Sequence, residues 1–576
     1  MGSEQSPSRL GVEVVRLKLA LRCYPVAHLL LHGLRWLRPG YRRQHIALLA
    51  ELAQFRVRIG DVLAECLGNG SRGTVVVCGW SLFEHVLAES VIRKAFELAD
   101  FNVHVLSEPT PANRAVYAAM GVTGLEPFSR YCAAPDRFQA RALLEGVSSV
   151  AELINLKWGG VAVGKYVSST LMRQTRNGSI DLGDPALRER VVDGLAASIA
   201  NVEGAEQMVL QLAPAAQVLV DRGYSPYGEI FDVCINRGIP VYTWNAAHRD
   251  NTLMLKRYHA GNREAHPSSL SPDSWSRLLD APWGERERQR LNRELAESYN
   301  NGEWYGEVGT QFSKRGCSKE EITTRLGLDP GKKTAVVFAH IFWDATFFWG
   351  EDLFRDYEDW FVETVRAACA NDRLNWLIKV HPANLVKNIR DGISGEPSEV
   401  LALRDRIGHL PAHVQVIPAD TDITTLSLFE VTDYCLTVRG TVGMEAALLG
   451  RSVLTAGTGR YDRHGFTTDF NSRDDYLARL ATLDELGPPT SSMRERAERY
   501  GYGVFMCRPV RLQCLDFKFS KDAAATLLTG WNLHSVVELR SAPELVAIAD
   551  WLRSGDEDFF ACPDAVAPAT QTEATL

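Results

Sequence analysis

Short β-rich runs alternate with helical stretches in two separate blocks of the chain, and this alternation constrains the fold more than any other feature. The first block contains the runs that begin at Thr74, Asn102, Met208, Gln217 and Pro240. The second contains TAVVFAH, NWLIKVHP, VQVIPAD, DYCLTVRG and RSVLTAG. Such alternation is typical of a parallel sheet wrapped by helices. The sequence therefore predicts an α/β protein with two Rossmann-like, doubly wound domains.

A polar, charged stretch separates the two blocks, and we interpret it as a linker. The predicted organisation is a basic, apolar helical segment over residues 1–70, a first Rossmann-like domain over 71–280 and the linker over 281–330. A second Rossmann-like domain over 331–475, helices over 476–555 and a disordered tail over 556–576 complete the chain.

Composition excludes several classes of protein. The 576 residues carry 63 Lys and Arg against 71 Asp and Glu, a net charge of −8 that does not fit a protein coating nucleic acid. Eleven cysteines without a CxxC pair indicate reduced thiols and no structural metal. The chain has neither an apolar run of about 18 residues nor a signal-peptide core. We expect a cytoplasmic protein.

The N-terminal stretch is both basic and apolar. Between Arg9 and Arg58 there are ten Arg or Lys residues and two Glu residues. Two interpretations remain open for this stretch. It binds the inner face of the cell membrane as a peripheral anchor, or its helices pack on the next domain with their arginine heads in water.

Ligands of an open parallel sheet bind beyond the carboxyl ends of its strands, so the residues that follow each β-run are candidates for a binding site. The run NWLIKVHP places Lys379 at the last strand position, with His381 and Pro382 directly after it. We predict donor-binding roles for all three. The alternative for His381 is a capping or core histidine.

The run DYCLTVRGTVGMEAALLG predicts a strand that ends before Arg439 and Gly440, and a helix that begins at about Thr441. The N–H groups of a first helical turn bind anions, Gly440 allows a phosphate to approach and Arg439 adds positive charge. Glu445 is expected to accept hydrogen bonds from a ribose diol. The alternative is a glycine turn with an ordinary surface glutamate.

Two further strand ends carry polar residues. The loop AGTGRYDRHGFTTD contains Arg460, and VIPADTDITTLS contains Thr421; we assign both residues to donor binding. Asp420 and Asp422 form a D-x-D triplet with Thr421, which resembles the metal-binding triplet of another class of sugar transferases. Asp422 or Thr421 can instead cap the following helix, and we predict no metal site.

One motif is rejected. Gly159, Gly164 and Lys165 have the G-x-x-x-x-G-K spacing of a phosphate-binding loop, but Tyr166 stands where that loop needs Ser or Thr. An NTPase is therefore not predicted. The basic, hydroxyl-rich stretch that follows can still contribute to a cleft.

The first block offers catalytic candidates. Asp221 ends the run QVLV, where a carboxylate can act as a general base or a nucleophile towards a sugar; the alternative is a turn or helix-start aspartate. Glu84 and His85 follow the run that begins at Thr74 and are further catalytic candidates.

In this order, several of these stretches resemble the bacterial capsule polysaccharide biosynthesis glycosyltransferases of the two-Rossmann-domain type called GT-B. The matching stretches are VDRGYSPYGE, VYTWNAAHRDNTLMLKRY, FAHIFWDA, WLIKVHPAN, VIPADT and TVRGTVGMEAALLGRSVLTAGTGRYDRHGFTTD. They span about Val220 to Asp469, roughly half of the chain.

The resemblance implies two domains that face one cleft and transfer of a sugar from a nucleotide donor, held mainly by the second domain, to a surface glycan or lipid-linked glycan. It implies no cofactor and no divalent metal. Some relatives are similar to 3-deoxy-octulosonate transferases that use a CMP-linked donor. Those carry a Gly-Trp-Gly type sequence where this chain has Thr458-Gly459-Arg460-Tyr461. Two alternatives stay open: a nucleotide-sugar epimerase or hydrolase of the same fold, and a non-catalytic glycan-assembly protein.

Overall fold

A computed structural model describes residues 39–79, 83–305, 314–344, 346–384, 395–515 and 530–562. Residues 1–38, part of the stretch with predicted membrane contact, and residues 563–576 of the tail predicted to be disordered over 556–576 lie outside these residues. Residues 556–562 of that tail are described, and Asp558 among them is buried.

Strands of the first block form one six-stranded sheet. They are β1 (Thr74–Cys78), β2 (Asn102–Leu106), β3 (Ala216–Leu219), β4 (Val241–Ala246) and β5 (Thr252–Tyr258), joined by β11 (Pro509–Arg511) from near the C-terminus. Their order across the sheet is β11-β5-β4-β3-β1-β2. The pairs among β1 to β4 are parallel, whereas β5 pairs antiparallel with both β4 and β11.

Strands of the second block form an all-parallel sheet of five. They are β6 (Thr334–Phe338), β7 (Asn375–Lys379), β8 (Val414–Ile417), β9 (Tyr434–Thr437) and β10 (Ser452–Thr455), in the order β10-β9-β6-β7-β8. Every residue of β6, β7, β9 and β10 is buried, as expected for strands covered on both faces by helices. The all-parallel second sheet and the parallel pairs among β1 to β4 in the first confirm the predicted α/β fold class.

Helices connect the strands and cover both sheets. Before β6 they are α1 (Pro39–Ala64), α2 (Phe83–Leu98), α3 (Pro111–Ala119), α4 (Arg137–Leu143), α5 (Val150–Ile154), α6 (Val163–Thr175), α7 (Pro185–Leu212), α8 (Tyr227–Asn236), α9 (Pro272–Asp280), α10 (Glu285–Asn300) and α11 (Lys319–Arg325). After β6 they are α12 (Tyr357–Ala370), α13 (Ser398–Ala402), α14 (Thr425–Phe429), α15 (Thr441–Leu448), α16 (Arg473–Ala481), α17 (Ser491–Tyr502), α18 (Val536–Ser541) and α19 (Pro543–Ser554). None of the helices in the described part of the chain is both long and apolar enough to cross a bilayer.

The β-rich run that begins at Met208 is not a strand, so this prediction is wrong. It forms the last turns of α7, where Met208 is buried and Leu210 is 64% exposed. Ala213 ends the helix with a left-handed φ of 43°. One-sided burial with an exposed leucine is the pattern of a helix, and the next run, from Ala216, supplies the buried strand.

Residues 281–330, predicted as a linker, contain α10 and α11 and pack against the second domain. Beyond α17 the chain returns to the first domain, where β11 extends the sheet and α19 packs on α2. The predicted C-terminal helices therefore also contribute a strand to the first sheet.

A buried ionic cluster holds the returning chain. Asp558 binds Lys256 of β5 at 2.7 Å and Arg508 at 3.3 Å, and the side chains of all three are at most 1% exposed. Arg508 also donates to the backbone oxygens of Leu255 and Pro267 at 2.9 and 3.0 Å. Burial alone raises the pKa of Asp558, but the two cations outweigh it and lower this pKa to about 2.

We expect Asp558→Asn to destabilise the protein by about 3–5 kcal/mol, because it leaves two buried cations without their counter-charge. Urea unfolding at pH 7 measures this. Asp556→Asn, which removes an exposed ion pair with Arg277, is the matched control and should cost about 0–1 kcal/mol. Because the folded pKa of Asp558 is depressed from 3.8, its contribution is complete above pH 3.8 and is lost as the pH falls towards 2. Equal midpoints for both variants would contradict the role of the cluster.

Candidate donor and acceptor sites

The donor candidate lies at the carboxyl ends of β6, β7, β9 and β10, which point to the same edge of the second sheet. His340 follows β6, His381 follows β7 and Arg439 follows β9. The residues predicted from separate β-runs are therefore carried by neighbouring strands.

Arg439 is the central cation of this edge and is only 3% exposed. Its Nη2 donates to the backbone oxygen of Glu351 at 3.1 Å and to the carboxylate of Asp352. Its Nε and Nη1 atoms are buried and have no partner among the described residues. Gly457 leaves room for this side chain, since a Cβ there would collide with the guanidinium. A buried guanidinium with two open nitrogens is suited to bind an anion.

The start of α15 lies beside Arg439. Gly440 is its N-cap residue and provides no side-chain cap. Arg460 donates to the backbone oxygen of Arg439 at 3.1 Å and to Oγ1 of Thr441 at 2.7 Å, while its own Nε has no partner within the described residues. Tyr461 donates to the backbone oxygen of Gly440 at 2.7 Å. Two guanidinium groups and the start of an eight-residue helix therefore meet at one point.

His340 belongs to this site, although no role was assigned to it from the sequence. Its Nε2 accepts the backbone N–H of Val438 at 3.2 Å, so the ring proton is on Nδ1. The ring stacks on Tyr357 with centroids 4.4 Å apart. Burial, with His381 and Arg439 nearby, holds the pKa of His340 well below its usual value. A histidine directly after the apolar run TAVVFA is the same signal that identified His381.

His381 and Pro382 are half-buried at the end of β7. Nδ1 of His381 accepts the backbone N–H of Ala383 at 3.2 Å, which leaves the ring proton on Nε2. Asn384 fixes the same loop by donating to Glu399 at 2.6 Å. Burial raises the pKa of Glu399 to about 7.

Lys379 and Thr421, two of the predicted donor-binding residues, form hydrogen bonds within the protein. Nζ of Lys379 is buried and donates to the backbone oxygens of Val380 and Pro418 at 2.9 and 3.3 Å. Burial, with Lys314 nearby, lowers the pKa of Lys379 to about 7. Thr421 accepts from Lys314 through its backbone oxygen. The ammonium of Lys379 thus lies inside the sheet instead of at its open edge.

The D-x-D triplet is engaged by protein cations. Asp422 binds Arg315 and Arg325, each at 2.7 Å. Hydrogen bonds from these two arginines lower the pKa of Asp422. The cap of α14 is Thr424, whose Oγ1 accepts from Ser427 at 3.0 Å. The prediction that Asp422 or Thr421 caps this helix is therefore wrong.

Glu445 is enclosed, and the structure does not leave its carboxylate open to a ribose. It is 7% exposed and accepts a hydrogen bond from the hydroxyl of Tyr299. Trp304 also bonds to it and stacks on Tyr299 at 4.9 Å. Burial raises the pKa of Glu445 to about 7. The segment interpreted as a linker from its polarity folds over α15 and covers this residue.

The first domain contacts the second domain through the turn that follows Asp221. Oδ1 of Asp221 accepts the N–H of Gly223 at 2.8 Å, as a turn aspartate does. Tyr224 donates to Asp344 of the second domain at 2.6 Å, and Arg173 binds the same oxygen at 3.3 Å. Burial and then the charges of Asp344 and Asp221 raise the pKa of Tyr224 well above its usual value. Asp221 therefore lies at the domain boundary.

The loop after β6, described over residues 340–344 and 346–352, contributes several contacts to this boundary and is called the β6 loop below. Its Phe348 oxygen accepts from Arg222 at 2.7 Å, and the buried Arg222 guanidinium lies 4.6 Å from the ring of Trp349. Asp352, at the end of the loop, links Arg439 electrostatically to Lys165 of α6. Burial raises the pKa of Asp352 to about 6, although both cations act against this rise. Lys165 thus faces the second domain from a helix, not from a phosphate-binding loop.

His85 and Glu84 both lie in α2. His85 is half-buried, and its ring centroid is 5.4 Å from that of Trp244. Burial lowers the pKa of His85 to about 4, so its ring is neutral at pH 7. The side chain of Glu84 falls outside the described residues.

Comparison with known proteins identifies one family segment. Residues 357–485 match the family described as capsule polysaccharide biosynthesis protein. None of the curated proteins compared with the chain matches it.

Solved structures with related arrangements include three enzymes. KpsC β-Kdo 2,4-transferase from Thermosulfurimonas dismutans has 13% identity over 52% of this chain and 82% of its own, with a TM-score of 0.33. The KpsC β-Kdo 2,7-transferase of the same organism has 14% identity over 55% of this chain and 84% of its own, with a TM-score of 0.31. UDP-GlcNAc 2-epimerase from Neisseria meningitidis has 11% identity over 75% of this chain and 96% of its own, with a TM-score of 0.24.

The family match covers β7, β9, β10 and α15, and with them His381, Arg439, Thr441 and Arg460. It confirms the resemblance predicted from the motifs for residues 357–485, which match the capsule polysaccharide biosynthesis family, whereas β6 and the first domain lie outside the match.

Proposed function

We propose that this chain is a glycosyltransferase that moves a sugar from a nucleotide-sugar donor to a surface or capsular glycan. The observation that carries the proposal is the buried guanidinium of Arg439, two of whose nitrogens lack a hydrogen-bond partner among the described residues, beside the start of α15, which has no side-chain cap. A donor phosphate supplies the oxygen acceptors that these nitrogens lack. Arg439, Arg460 and α15 lie within the capsule-family segment, which favours sugar transfer over other uses of a phosphate site.

The expected chemistry is stabilisation of a departing nucleotide. As the bond from the sugar to the phosphate breaks, negative charge develops on the leaving phosphate. Arg439, Arg460 and the helix start hold fixed positive charge at this position, so they need no rearrangement when the charge develops. His340 and His381 add neutral N–H donors, on Nδ1 and Nε2 respectively.

We further propose that this charge stabilisation needs no divalent metal. The carboxylate that a D-x-D site would offer, Asp422, is already neutralised by Arg315 and Arg325. Fixed guanidinium groups perform the charge neutralisation that a metal ion performs in other sites.

Asp221 is the proposed catalytic carboxylate on the acceptor side. A sugar hydroxyl is a weak nucleophile at neutral pH and needs a positioned base. The Gly223 hydrogen bond fixes the direction of the Asp221 side chain, and the contact from Tyr224 to Asp344 brings its turn against the donor domain. In a retaining reaction the same carboxylate can attack the donor carbon instead.

A nucleotide panel tests the donor site. CMP, UDP, GDP and dTDP are compared by thermal shift on the wild-type protein, since a ligand at 100 times its Kd adds about 2.7 kcal/mol of stability. With the best nucleotide, Arg439→Ala should bind about 10- to 100-fold more weakly in calorimetry, because it removes hydrogen bonds from a charged donor. Asp422→Ala, in the same domain, is the control and should bind normally. No binding of any nucleotide by the wild type would instead favour a non-catalytic assembly protein.

Asp221→Asn should lower turnover by about 10² to 10⁴ while nucleotide affinity stays unchanged, because an amide oxygen can accept the same turn hydrogen bond but cannot take a proton. Initial rates of sugar transfer measure this, with product analysis separating transfer from hydrolysis or epimerisation. Asp181→Asn is the matched control, since Asp181 accepts the N–H of Gly183 at 2.8 Å in an exposed turn of the same kind. Wild-type turnover in Asp221→Asn would exclude this residue as the base.

We also propose that the basic N-terminal stretch holds the enzyme at the inner membrane face, near lipid-linked acceptors. Each cation at an anionic surface contributes about 1 kcal/mol. The full chain should float with anionic vesicles, and less so after Arg9, Arg16, Lys18 and Arg22 are changed to Gln. Changing the exposed Arg130, Arg141, Arg237 and Arg404 instead should have little effect. Equal flotation of both variants would favour the packed-helix alternative.

A further inference from the structure

Two cysteines from distant parts of the chain meet beside the donor domain. Sγ of Cys507 and Sγ of Cys562 are 2.7 Å apart, although 55 positions separate them in the sequence. Cys507 is fully buried and Cys562 is half-buried. The backbone joins the same two segments, because the N–H of Ala561 donates to the oxygen of Cys507 at 2.8 Å.

This distance is well below a normal contact between unbonded sulfur atoms and approaches the roughly 2.05 Å of a disulfide bond. The surrounding backbone is already fixed on both sides. Cys507 ends the helical turn Gly503–Cys507 that continues α17, and Cys562 follows Asp558, the anchor of the buried ionic cluster. A covalent bond therefore needs only a small shift of the two side chains.

We infer that Cys507 and Cys562 are a modification site, at which the two thiols form a reversible disulfide with a low-molecular-weight disulfide such as oxidised glutathione as the oxidant. The thiolate of Cys562, the more exposed residue, attacks one sulfur of glutathione disulfide and releases one glutathione. The thiolate of Cys507 then attacks the Cys562 sulfur of this mixed disulfide and releases the second glutathione. The protein loses two thiol protons and two electrons, and glutathione disulfide becomes two glutathione molecules.

The position of the bond links both domains to the donor site. Phe505, two residues before Cys507, packs on Trp304 with ring centroids 4.9 Å apart, and Trp304 covers Glu445. On the other side, Asp558 ties the segment of Cys562 to Lys256 in the first domain. The disulfide would therefore hold the returning chain against the wall of the donor site, independently of which nucleotide binds there.

The test is chemical and does not depend on the proposed activity. The full chain is incubated with glutathione disulfide, alkylated with N-ethylmaleimide and digested for mass spectrometry. We expect a peptide that links Cys507 to Cys562 and disappears with dithiothreitol. The thermal midpoint of the oxidised protein should rise, because the bond closes a long loop in the unfolded chain.

Cys562→Ser is expected to abolish both the linked peptide and the rise in midpoint. Cys514→Ser, which changes another buried cysteine near β11, should retain both and is the control. A treated wild-type protein in which Cys562 stays bound to glutathione, or in which both cysteines are alkylated after unfolding, would overturn the inference.

Discussion

Burial of the Arg439 guanidinium is the constraint on which the open edge of the second sheet depends. Removing such a cation from water costs several kcal/mol unless acceptors surround it. Asp352 and the backbone oxygen of Glu351 provide part of this compensation, and Gly457 leaves the space. Both acceptors belong to the β6 loop, so the loop cannot leave its position without leaving a buried charge uncompensated. The two open nitrogens are what remains for a ligand.

The same loop joins the surroundings of Arg439 to the first domain. Its Phe348 oxygen accepts from the buried Arg222, and its Asp344 accepts from Tyr224. Arg222 and Tyr224 follow Asp221 directly in the sequence. The element that compensates Arg439 is therefore also the element that places the proposed catalytic carboxylate. A change in the relative position of the two domains would alter the surroundings of Arg439 and of Asp221 at once, so the two sites are physically coupled.

Strand positions and their polar ends were largely predictable from the sequence, because a buried parallel strand needs a continuous apolar run and its carboxyl end is where polar residues become tolerable. This logic located Arg439 and His381 correctly at the same edge of one sheet. The same reasoning predicted a strand at Met208 that does not exist, because the apolar run there belongs to the long helix α7 and is as short as a strand. It also passed over His340, whose position after β6 is equivalent to that of His381 after β7.

Which of these side chains faces the open edge is decided by partners far away in the sequence, and local patterns do not contain that information. Lys379 and Arg439 both stand near the end of a buried strand, yet Lys379 reaches two backbone oxygens of its own sheet. Arg439 meets a carboxylate 87 positions away. Glu445 also depends on a distant partner. The hydroxyl of Tyr299, in the segment whose polarity suggested a linker, donates a hydrogen bond to it and helps to cover it. A charged residue at a strand end thus predicts the location of a site, whereas its long-range neighbours decide whether the charge is compensated by the protein or left for a ligand.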